Sequence, residues 1–273
     1  MAGTAMMGLF NRKRPQRRSP ERLLSYQVAN LQGLGTRERQ EDSFAFANAL
    51  DVTEMRRKGL LAIVADGMGG LNNGKLVSDS CVKSILAGFS ELDREGNIPQ
   101  QFRDCVFRTS EQLYAQFHGD GGTTLVGILI FQENLHWISV GDSYIYLKRG
   151  RGLYRLNREQ NFRTETYLEL IRDGNLDTTE IDQDPDAPRL SEFLGRETLT
   201  DIDQSLYPLP LEDGDRLLLC SDGVAGGLSE AVIAACLEAE QPAVVCSRLE
   251  TEIKALEWLH QDNYTALIIQ CGQ

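Results

Sequence analysis

Aspartate residues stand beside glycine directly after apolar runs of this sequence. Asp66-Gly67 ends the run LLAIVA, and Asp222-Gly223 ends the run RLLLCS. A continuous aliphatic run predicts a buried strand, so each carboxylate would lie at the end of a rigid element. Carboxylate and carbonyl oxygens are the ligands that Mg²⁺ and Mn²⁺ prefer, and glycine lets the backbone approach an ion closely. The pattern therefore indicates a site for a hard divalent cation.

Three more acids occupy comparable positions. Asp42 precedes the alternating run SFAFA, Asp142 follows Gly141 at the end of LHWISV, and Asp262 precedes YTALIIQ. A single Asp-Gly pair is common in ordinary turns, but five acids at strand ends favour a metal site. The three histidines are scattered along the chain, and no His or Cys cluster occurs, which favours Mg²⁺ or Mn²⁺ over zinc.

An arginine lies shortly before the first of these acids. Arg37 comes four residues ahead of the acidic pair Glu41-Asp42. A guanidinium can donate two parallel hydrogen bonds to a phosphate, which would place a phosphate-binding group beside a metal ligand. A surface turn with local ion pairs is the alternative, and this segment taken alone favours the turn.

A possible nucleotide-binding motif overlaps the glycine-rich turn that follows Asp66. Gly69 to Lys75 satisfies the pattern G-x-x-x-x-G-K of a P-loop. A P-loop continues with Ser or Thr, whose hydroxyl binds Mg²⁺, and this chain has Leu76 there. The mismatch argues against a P-loop, and Gly74 is better explained as a small residue where a helix begins.

Composition excludes several classes of protein. The chain has 273 residues, 41% of them hydrophobic, and a formal net charge of −12. That charge argues against a nucleic-acid-binding protein, which should carry a basic face. No apolar run is long enough to span a bilayer, so we expect a cytoplasmic protein. We predict that the six cysteines are reduced core thiols, because they show no CxxC spacing.

The first 22 residues differ from the rest. They contain six Lys or Arg residues against one Glu, with RKRPQRR at the centre. We predict a solvated, disordered tail. A tether to anionic lipid or to an acidic partner would need a second signal, and the sequence offers none.

Periodicity predicts the elements that would position the acids. Strands are expected between residues 24 and 66, 124 and 156, and 207 and 220, with a final strand after Asp262. Helices are expected at 75–93, 98–117, 229–239 and 242–260, the last with an apolar face that includes Leu256 and Leu259. Residues 157–205 are polar and acidic, and we predict a long surface excursion that carries recognition, with a short helix at 165–172.

The ordered motifs RERQEDSF, VADGMGG, GGTT, VGDS, CSDG and DN resemble those of the metal-dependent protein serine/threonine phosphatases, the PPM family or type 2C. The resemblance covers roughly residues 25–270. It implies an α+β fold: a four-layer αββα sandwich of two antiparallel β-sheets, flanked by pairs of antiparallel helices. Residues 23–273 would form a single PPM-type domain, with the excursion at about 157–205 as the family's flap.

The resemblance also implies roles for individual residues. The two core ions, Mn²⁺ or Mg²⁺, would be held by Asp42, Asp66, Asp222 and Asp262, together with the Gly67 carbonyl. Asp142 matches the residue that serves a third, weaker ion in bacterial members. Arg37 matches the arginine that binds the substrate phosphate. Glu41 would orient waters or metal ligands without contacting the ions itself.

The implied reaction is hydrolysis of phosphoserine and phosphothreonine in proteins phosphorylated by a Ser/Thr kinase. A metal-bridged hydroxide would attack phosphorus in line, without a covalent phosphoenzyme. The alternative is a catalytically weak or inactive phosphoprotein-binding module of the same fold. A monomer is expected.

Four residues depart from the family pattern. Met68 stands where many eukaryotic members have a histidine proposed to protonate the leaving alkoxide, a step for which water on a metal is the expected substitute. Glu159-Gln160 replaces a frequent Asp-His pair, and Tyr144 replaces a frequent arginine.

Overall fold

A computed structural model of the chain describes residues 24–69 and 73–272. The predicted basic tail, residues 1–22, and Gly70 of the first glycine-rich turn lie outside the described residues. Across those two ranges, no helix is both long and apolar enough to cross a membrane. All six cysteines are free and buried, which confirms the prediction of reduced core thiols.

The strands and helices alternate in blocks along the chain. The strands are β1 (Ser25–Gly33), β2 (Ser43–Ala47), β3 (Leu60–Ala65), β4 (Gly67–Met68), β5 (Gly122–Thr123), β6 (Leu125–Phe131), β7 (Asn134–Val140), β8 (Tyr144–Arg149), β9 (Gly152–Arg155), β10 (Asp203–Gln204), β11 (Leu209–Pro210), β12 (Arg216–Cys220) and β13 (Tyr264–Gly272). The helices are α1 (Val52–Lys58), α2 (Asn73–Glu91), α3 (Ile98–Phe117), α4 (Phe162–Arg172), α5 (Thr179–Gln183), α6 (Asp222–Ala225), α7 (Glu230–Cys236) and α8 (Pro242–Ala255).

Two antiparallel sheets form the centre of the fold. One has the strand order β1-β13-β12-β8-β9, and the other has the order β10-β7-β6-β3-β2, with β11 also paired to β7. A short pair, β4 and β5, lies beside them. Helices α2 and α3 cover the outer face of the β3 sheet, and α7 and α8 cover the outer face of the β12 sheet. The predicted four-layer αββα sandwich is therefore confirmed.

Strand β3 shows how the sequence builds these layers. All six of its residues are fully buried. Leu60, Ala62 and Val64 belong to the core between the sheets, whereas the alternate residues from Leu61 to Ala65 belong to the core under α2 and α3. A strand with a covered face on both sides has no polar alternation, and this explains its continuous aliphatic sequence.

Two details of the predicted helices are wrong. Helix α8 ends at Ala255 rather than near residue 260, because Glu257 has a left-handed backbone (φ 48°), which a helix cannot continue through. Leu259 is consequently 87% exposed instead of lying on the apolar face. The sequence pattern also places Leu76 among the apolar packing residues of the first predicted helix, but Leu76 is exposed, since the buried face of α2 runs through Val77 and Cys81.

Helix α1 is absent from the sequence-based prediction. Its signal is the N-cap Asp51, whose side chain accepts hydrogen bonds from the backbone N–H groups of Thr53 and Glu54. The segment 157–205 contains the predicted short helix as α4, together with α5 and β10. It also contributes Leu194 and Ile202 to the core under α2 and α3, so part of the expected surface excursion is buried.

Candidate functional site

The register of the sheets brings the five predicted acids to one end of the sandwich. Asp42 precedes β2 and Asp66 follows β3, and the flanking residues Ser43 and Ala65 are paired. In the other sheet, Cys220 of β12 pairs with Ala266 of β13 and with Tyr144 of β8. Asp222, Asp262 and Asp142 follow or precede those strands at the same end. We call this group of five aspartates the acidic end.

A hydrogen bond from one sheet to the other fixes the position of Asp42. Asp42 is fully buried, and its Oδ2 accepts a hydrogen bond from Ser221 Oγ at 2.9 Å. Ser221 also accepts from the backbone N–H of Thr265 at 3.0 Å. Ser221 therefore links strands β12 and β13 to the carboxylate beside β2. Its place directly before Asp222 is the sequence signal that could have identified it.

The carboxylates of the acidic end raise one another's pKa. Burial, and then the charges of Asp42, Asp222 and Asp142, raise the pKa of Asp66 well above its usual range. Burial raises the pKa of Asp42 to about 6, with the charge of Asp222 as a further contribution. Burial and the neighbouring Asp262 raise the pKa of Asp222. Like charges without a counter-ion favour the neutral acids, and a cation among them would reverse that preference.

Two carboxylate oxygens of this group have unused hydrogen-bonding capacity. Oδ1 of Asp42 and Oδ1 of Asp222 are buried and have no hydrogen-bond partner within residues 24–69 and 73–272. Buried polar atoms without a partner are uncommon, and use of those atoms to bind an ion is one of the accepted explanations. The acids at these positions are hard oxygen donors and therefore fit Mg²⁺ or Mn²⁺.

Among the described residues, no group of three His, Cys, Asp or Glu side chains could hold a metal ion as the side chains stand. Asp42, Asp66 and Asp222 are nevertheless close enough to act on one another's pKa.

Arg37 lies at the acidic end, where it contacts an acid rather than open solvent alone. Its Nη2 donates a hydrogen bond to Asp262 Oδ2 at 2.6 Å, and both side chains are partly exposed, 58% and 41%. The bond to Asp262 raises the pKa of Arg37 above its usual value. The alternative of local ion pairs therefore applies in part, because Arg37 forms one, but its partner is 225 residues away.

Asn263, which was not predicted as a site residue, holds the loop that carries Arg37. Its Oδ1 accepts from the backbone N–H of Glu41 at 2.7 Å. Its Nδ2 donates to the carbonyls of Leu34 at 2.9 Å and Arg39 at 3.0 Å. The loop therefore folds around this amide, and its position after Asp262 in the motif DN was an available signal.

Tight backbone packing explains the glycine at position 67. A Cβ at Gly67 would lie 2.4 Å from the carbonyl oxygen of Gly74 and 2.6 Å from that of Glu41. A Cβ at Gly74 would in turn lie 2.9 Å from Glu41 Oε1. The three residues thus form one close-packed contact behind Asp66, with the Glu41 side chain beside Gly74.

Lys75 is committed to contacts that a P-loop lysine does not make. Its Nζ donates to the carbonyl of Asp42 at 3.0 Å and to Ser43 Oγ at 2.9 Å, and it pairs with Asp79 at 3.0 Å. The ammonium group therefore supports the segment around Asp42. This agrees with the argument from Leu76 against a P-loop.

Asp142 belongs to the same electrostatic group. Burial raises its pKa to about 7, and the charges of Asp222 and Glu159 contribute. The residues around it are linked to Asp66: Thr124 Oγ1 accepts from the backbone N–H of Asp66 at 3.0 Å and lies 2.8 Å from Ser143 Oγ. Asp142 and Asp66 are therefore held by one hydrogen-bonded unit.

Comparison with solved structures identifies the class of fold. The PPM Ser-Thr phosphatase MsPP from Mycobacterium smegmatis superposes with a TM-score of 0.68 and 25% identity, covering 89% of this chain and 97% of that chain. The catalytic domain of the serine/threonine protein phosphatase PstP, solved with two manganese ions, gives a TM-score of 0.70 at 24% identity, covering 92% and 100%. The fold is that of the PPM phosphatases.

Sequence comparison places the chain within this class. The family model of protein phosphatase 2C matches residues 39–260. The serine/threonine phosphatase stp of Listeria innocua is 28% identical over 228 residues, which cover 80% of this chain and 87% of that protein. The chain therefore belongs to the protein phosphatase 2C family, whose members are metal-dependent protein serine/threonine phosphatases.

Proposed function

We propose that this chain hydrolyses phosphoserine and phosphothreonine in proteins, with the acidic end as its catalytic site. The observation that carries the proposal is the pair of buried, unpartnered oxygens on Asp42 and Asp222 among carboxylates of raised pKa. Unpaired buried acids are destabilising unless a ligand uses them. The family membership gives the reaction class that such a ligand would serve.

The residues that would hold two Mn²⁺ or Mg²⁺ ions are Asp42, Asp66, Asp222 and Asp262, with the carbonyl of Gly67. The two manganese ions in the PstP structure are consistent with this donor set. When bound, a pair of such ions supplies a hydroxide nucleophile at neutral pH and neutralises charge on the reacting phosphate. Attack in line with the leaving oxygen would need no covalent phosphoenzyme.

The remaining roles fall to residues of this chain around the acidic end. Arg37 would orient the phosphate through two parallel hydrogen bonds once Asp262 no longer engages its guanidinium. Glu41 would orient waters or metal ligands without binding the ions itself, from its position against Gly74 and the backbone near Gly67. Met68 has no proton to donate to the leaving alkoxide, so water would have to supply it.

Asp142 and the segment 157–205 would assist the reaction from the edge of the site. Asp142 would serve a third, weaker ion, since its pKa is raised by burial and by Asp222. The segment 157–205 would act as the flap that selects phosphoprotein substrates. A Ser/Thr kinase as the source of those substrates, a monomeric state and a cytoplasmic location stay predictions.

The second candidate function is a phosphoprotein-binding module that turns over slowly or not at all. The Arg37–Asp262 ion pair is the observation that favours it, because it occupies both a proposed phosphate ligand and a proposed metal ligand. In that case phosphopeptides would bind without being hydrolysed.

Hydrolysis of p-nitrophenyl phosphate and of a phosphothreonine peptide, with Mn²⁺ or with EDTA, tests these alternatives. We expect Mn²⁺-dependent turnover that Asp222→Ala abolishes. Asp213→Ala is the matched control, because Asp213-Gly214 is an exposed Asp-Gly turn at the opposite end of β12. Peptide binding without turnover in the wild type would favour the binding module. Acid quenching during turnover should trap no phosphorylated protein, and trapped phosphoprotein would contradict direct attack by hydroxide.

A further inference from the structure

Gln160 connects the segment 157–205 to the acidic end through every hydrogen-bonding group it has. The residue is fully buried. Its backbone N–H donates to the carbonyl of Gly141 at 2.9 Å, and its Oε1 accepts from the N–H of Gly141 at 2.8 Å. Its own carbonyl accepts from Ser191 N–H at 3.1 Å, and its Nε2 donates to Asp201 Oδ2 at 3.1 Å.

Gly141, which accepts one of these bonds and donates another, has little freedom to move. Its backbone is in a region that favours glycine (φ 98°), and a Cβ there would lie 2.8 Å from Thr124 Cγ2. Thr124 in turn accepts the backbone N–H of Asp66. Gly141 thus lies between Gln160 and Thr124, the residue that accepts the Asp66 N–H. The residue after Gly141 is Asp142. A shift of Gln160 would move the Asp142 backbone directly.

Asp201, at the other end of the connection, reaches the surface. Its side chain is 48% exposed and also pairs with Arg158. Ser191, bonded to the Gln160 carbonyl, lies three residues before Leu194, whose backbone pairs with Thr123. A partner that contacts the 157–205 segment would therefore act on groups that bond to Gln160 directly.

We propose that Gln160 is a positioning residue that couples the seating of a phosphoprotein on segment 157–205 to the placement of Asp142. This inference rests on the proposed function, in which Asp142 serves an ion and the segment receives substrate. An amide suits the position because one side chain must both accept from Gly141 and donate to Asp201. A carboxylate of the same shape can accept but cannot donate.

The test uses a substitution of nearly unchanged shape and its compensating partner. Gln160→Glu keeps the acceptor for Gly141 but places a second carboxylate against Asp201. Adding Asp201→Asn supplies a new amide donor, so the double variant restores the bond in reverse polarity. Asp203→Asn is the matched control, because Asp203 lies in the same segment and accepts from the Arg158 N–H but does not bond Gln160.

Amide hydrogen exchange on the metal-free proteins is the readout independent of activity. We expect about tenfold faster exchange in residues 139–143 and 190–203 of Gln160→Glu, which is the effect of losing one buried hydrogen bond. In residues 139–143 the double variant should return close to the wild-type exchange rate, and Asp203→Asn should keep the wild-type rate there. Equally faster exchange in all strands, or no change near Gly141, would overturn the coupling.

Kinetics with two substrates supplies the second readout. We expect Gln160→Glu to raise KM for a phosphothreonine peptide about fivefold or more and KM for p-nitrophenyl phosphate less than twofold, because only the peptide contacts the segment. Equal changes for both substrates would contradict the proposal. A wild type without Mn²⁺-dependent turnover would refute the proposed function, whereas the exchange experiment would still decide whether Gln160 ties the segment to Asp142.

Discussion

Strand β12 has an aspartate near each end, and the two carboxylates have opposite surroundings. Before the strand, Asp215 is 1% exposed and accepts from Arg149 Nε at 2.8 Å and Nη2 at 2.6 Å, and its Oδ2 also accepts from the Glu212 N–H at 2.7 Å. After it, Asp222 has a buried oxygen without a partner among the described residues. Burial and the charge of Asp262 raise its pKa, against smaller opposing contributions from the Gly223 N–H and Arg37.

Because both residues flank the same strand, secondary structure cannot account for the difference. A buried carboxylate with a guanidinium and a backbone donor is satisfied, and removing either partner of such a pair is destabilising. A buried carboxylate among like charges destabilises the fold until a cation arrives. The comparison separates an acid that serves the fold from an acid that we propose serves the reaction.

The largest expected effect comes from neutralising the unpaired acid. Asp222→Asn should lower Mn²⁺-dependent kcat about 10³-fold or more, since a proposed metal ligand is lost. The metal-free protein should become more stable by about 1 kcal/mol, because one like charge is removed from the group. Kinetics and urea unfolding in EDTA measure the two quantities. A destabilised metal-free variant would show that Asp222 also has a structural role.

The same change at the paired acid should have the opposite profile. Asp215→Asn should destabilise the protein by about 2–3 kcal/mol, because Arg149 keeps its charge and loses the carboxylate that pairs with it. Mn²⁺ affinity and kcat of the folded fraction should equal those of the wild type. Urea unfolding and Mn²⁺ titration check this. A loss of Mn²⁺ affinity would contradict the conclusion that Asp215 serves only the fold.

The stability of the metal-free protein should depend on pH through the buried acids of the acidic end, an effect smaller than those of the two substitutions above. The pKa values of Asp42, about 6, and Asp142, about 7, lie above the ordinary value of 3.8. The folded protein therefore holds protons that the unfolded chain has released, and stability is lost as the pH rises from about 4 to about 7.

We expect the melting temperature in EDTA to fall by roughly 5 °C between pH 5 and pH 8. Saturating Mn²⁺ should remove this fall, because the ions favour the ionised carboxylates. Thermal unfolding at a series of pH values tests both statements. A melting temperature in EDTA that rises over this interval would show that the acids are already stabilised as anions.

Sequence alone predicted the elements that carry strong periodicity or a continuous apolar run. Strand β3 and helices α2 and α3 follow their patterns to within a few residues, because burial of one or both faces leaves a regular signal. The end of α8 was missed, since the left-handed backbone at Glu257 has no such signal. Helix α1 was missed because seven residues with no buried side chain show no periodicity, although Asp51 marks its start.

For the site, the sequence indicated which residues are acidic at strand ends but not what surrounds them. The Arg37–Asp262 pair, and the three hydrogen bonds between Asn263 and the Arg37 loop, join residues more than two hundred positions apart. Such contacts depend on how two sheets meet, and no local pattern encodes that. The proposed role of Gln160 likewise depends on contacts with Gly141 and Asp201 that no local sequence pattern indicates.

The smallest expected effects compare the two arginines, each by replacement with lysine, which keeps the charge and removes the planar fork. Arg149→Lys should lower stability by about 1 kcal/mol, because the paired contact with buried Asp215 is lost, and should leave kcat/KM unchanged. Arg37→Lys should lower kcat/KM for a phosphopeptide about tenfold and change stability by less than about 0.5 kcal/mol, since its ion pair is exposed.

Urea unfolding and steady-state kinetics on both lysine variants measure this crossed pattern. The exposed Arg37–Asp262 pair contributes little to folding, so a large loss of kcat/KM in Arg37→Lys at unchanged stability would place the role of the guanidinium in the site, as expected if it binds the substrate phosphate. If Arg37→Lys instead lost stability and kept full kcat/KM, Arg37 would be a structural partner of Asp262. The acidic end would then need another group to orient the phosphate.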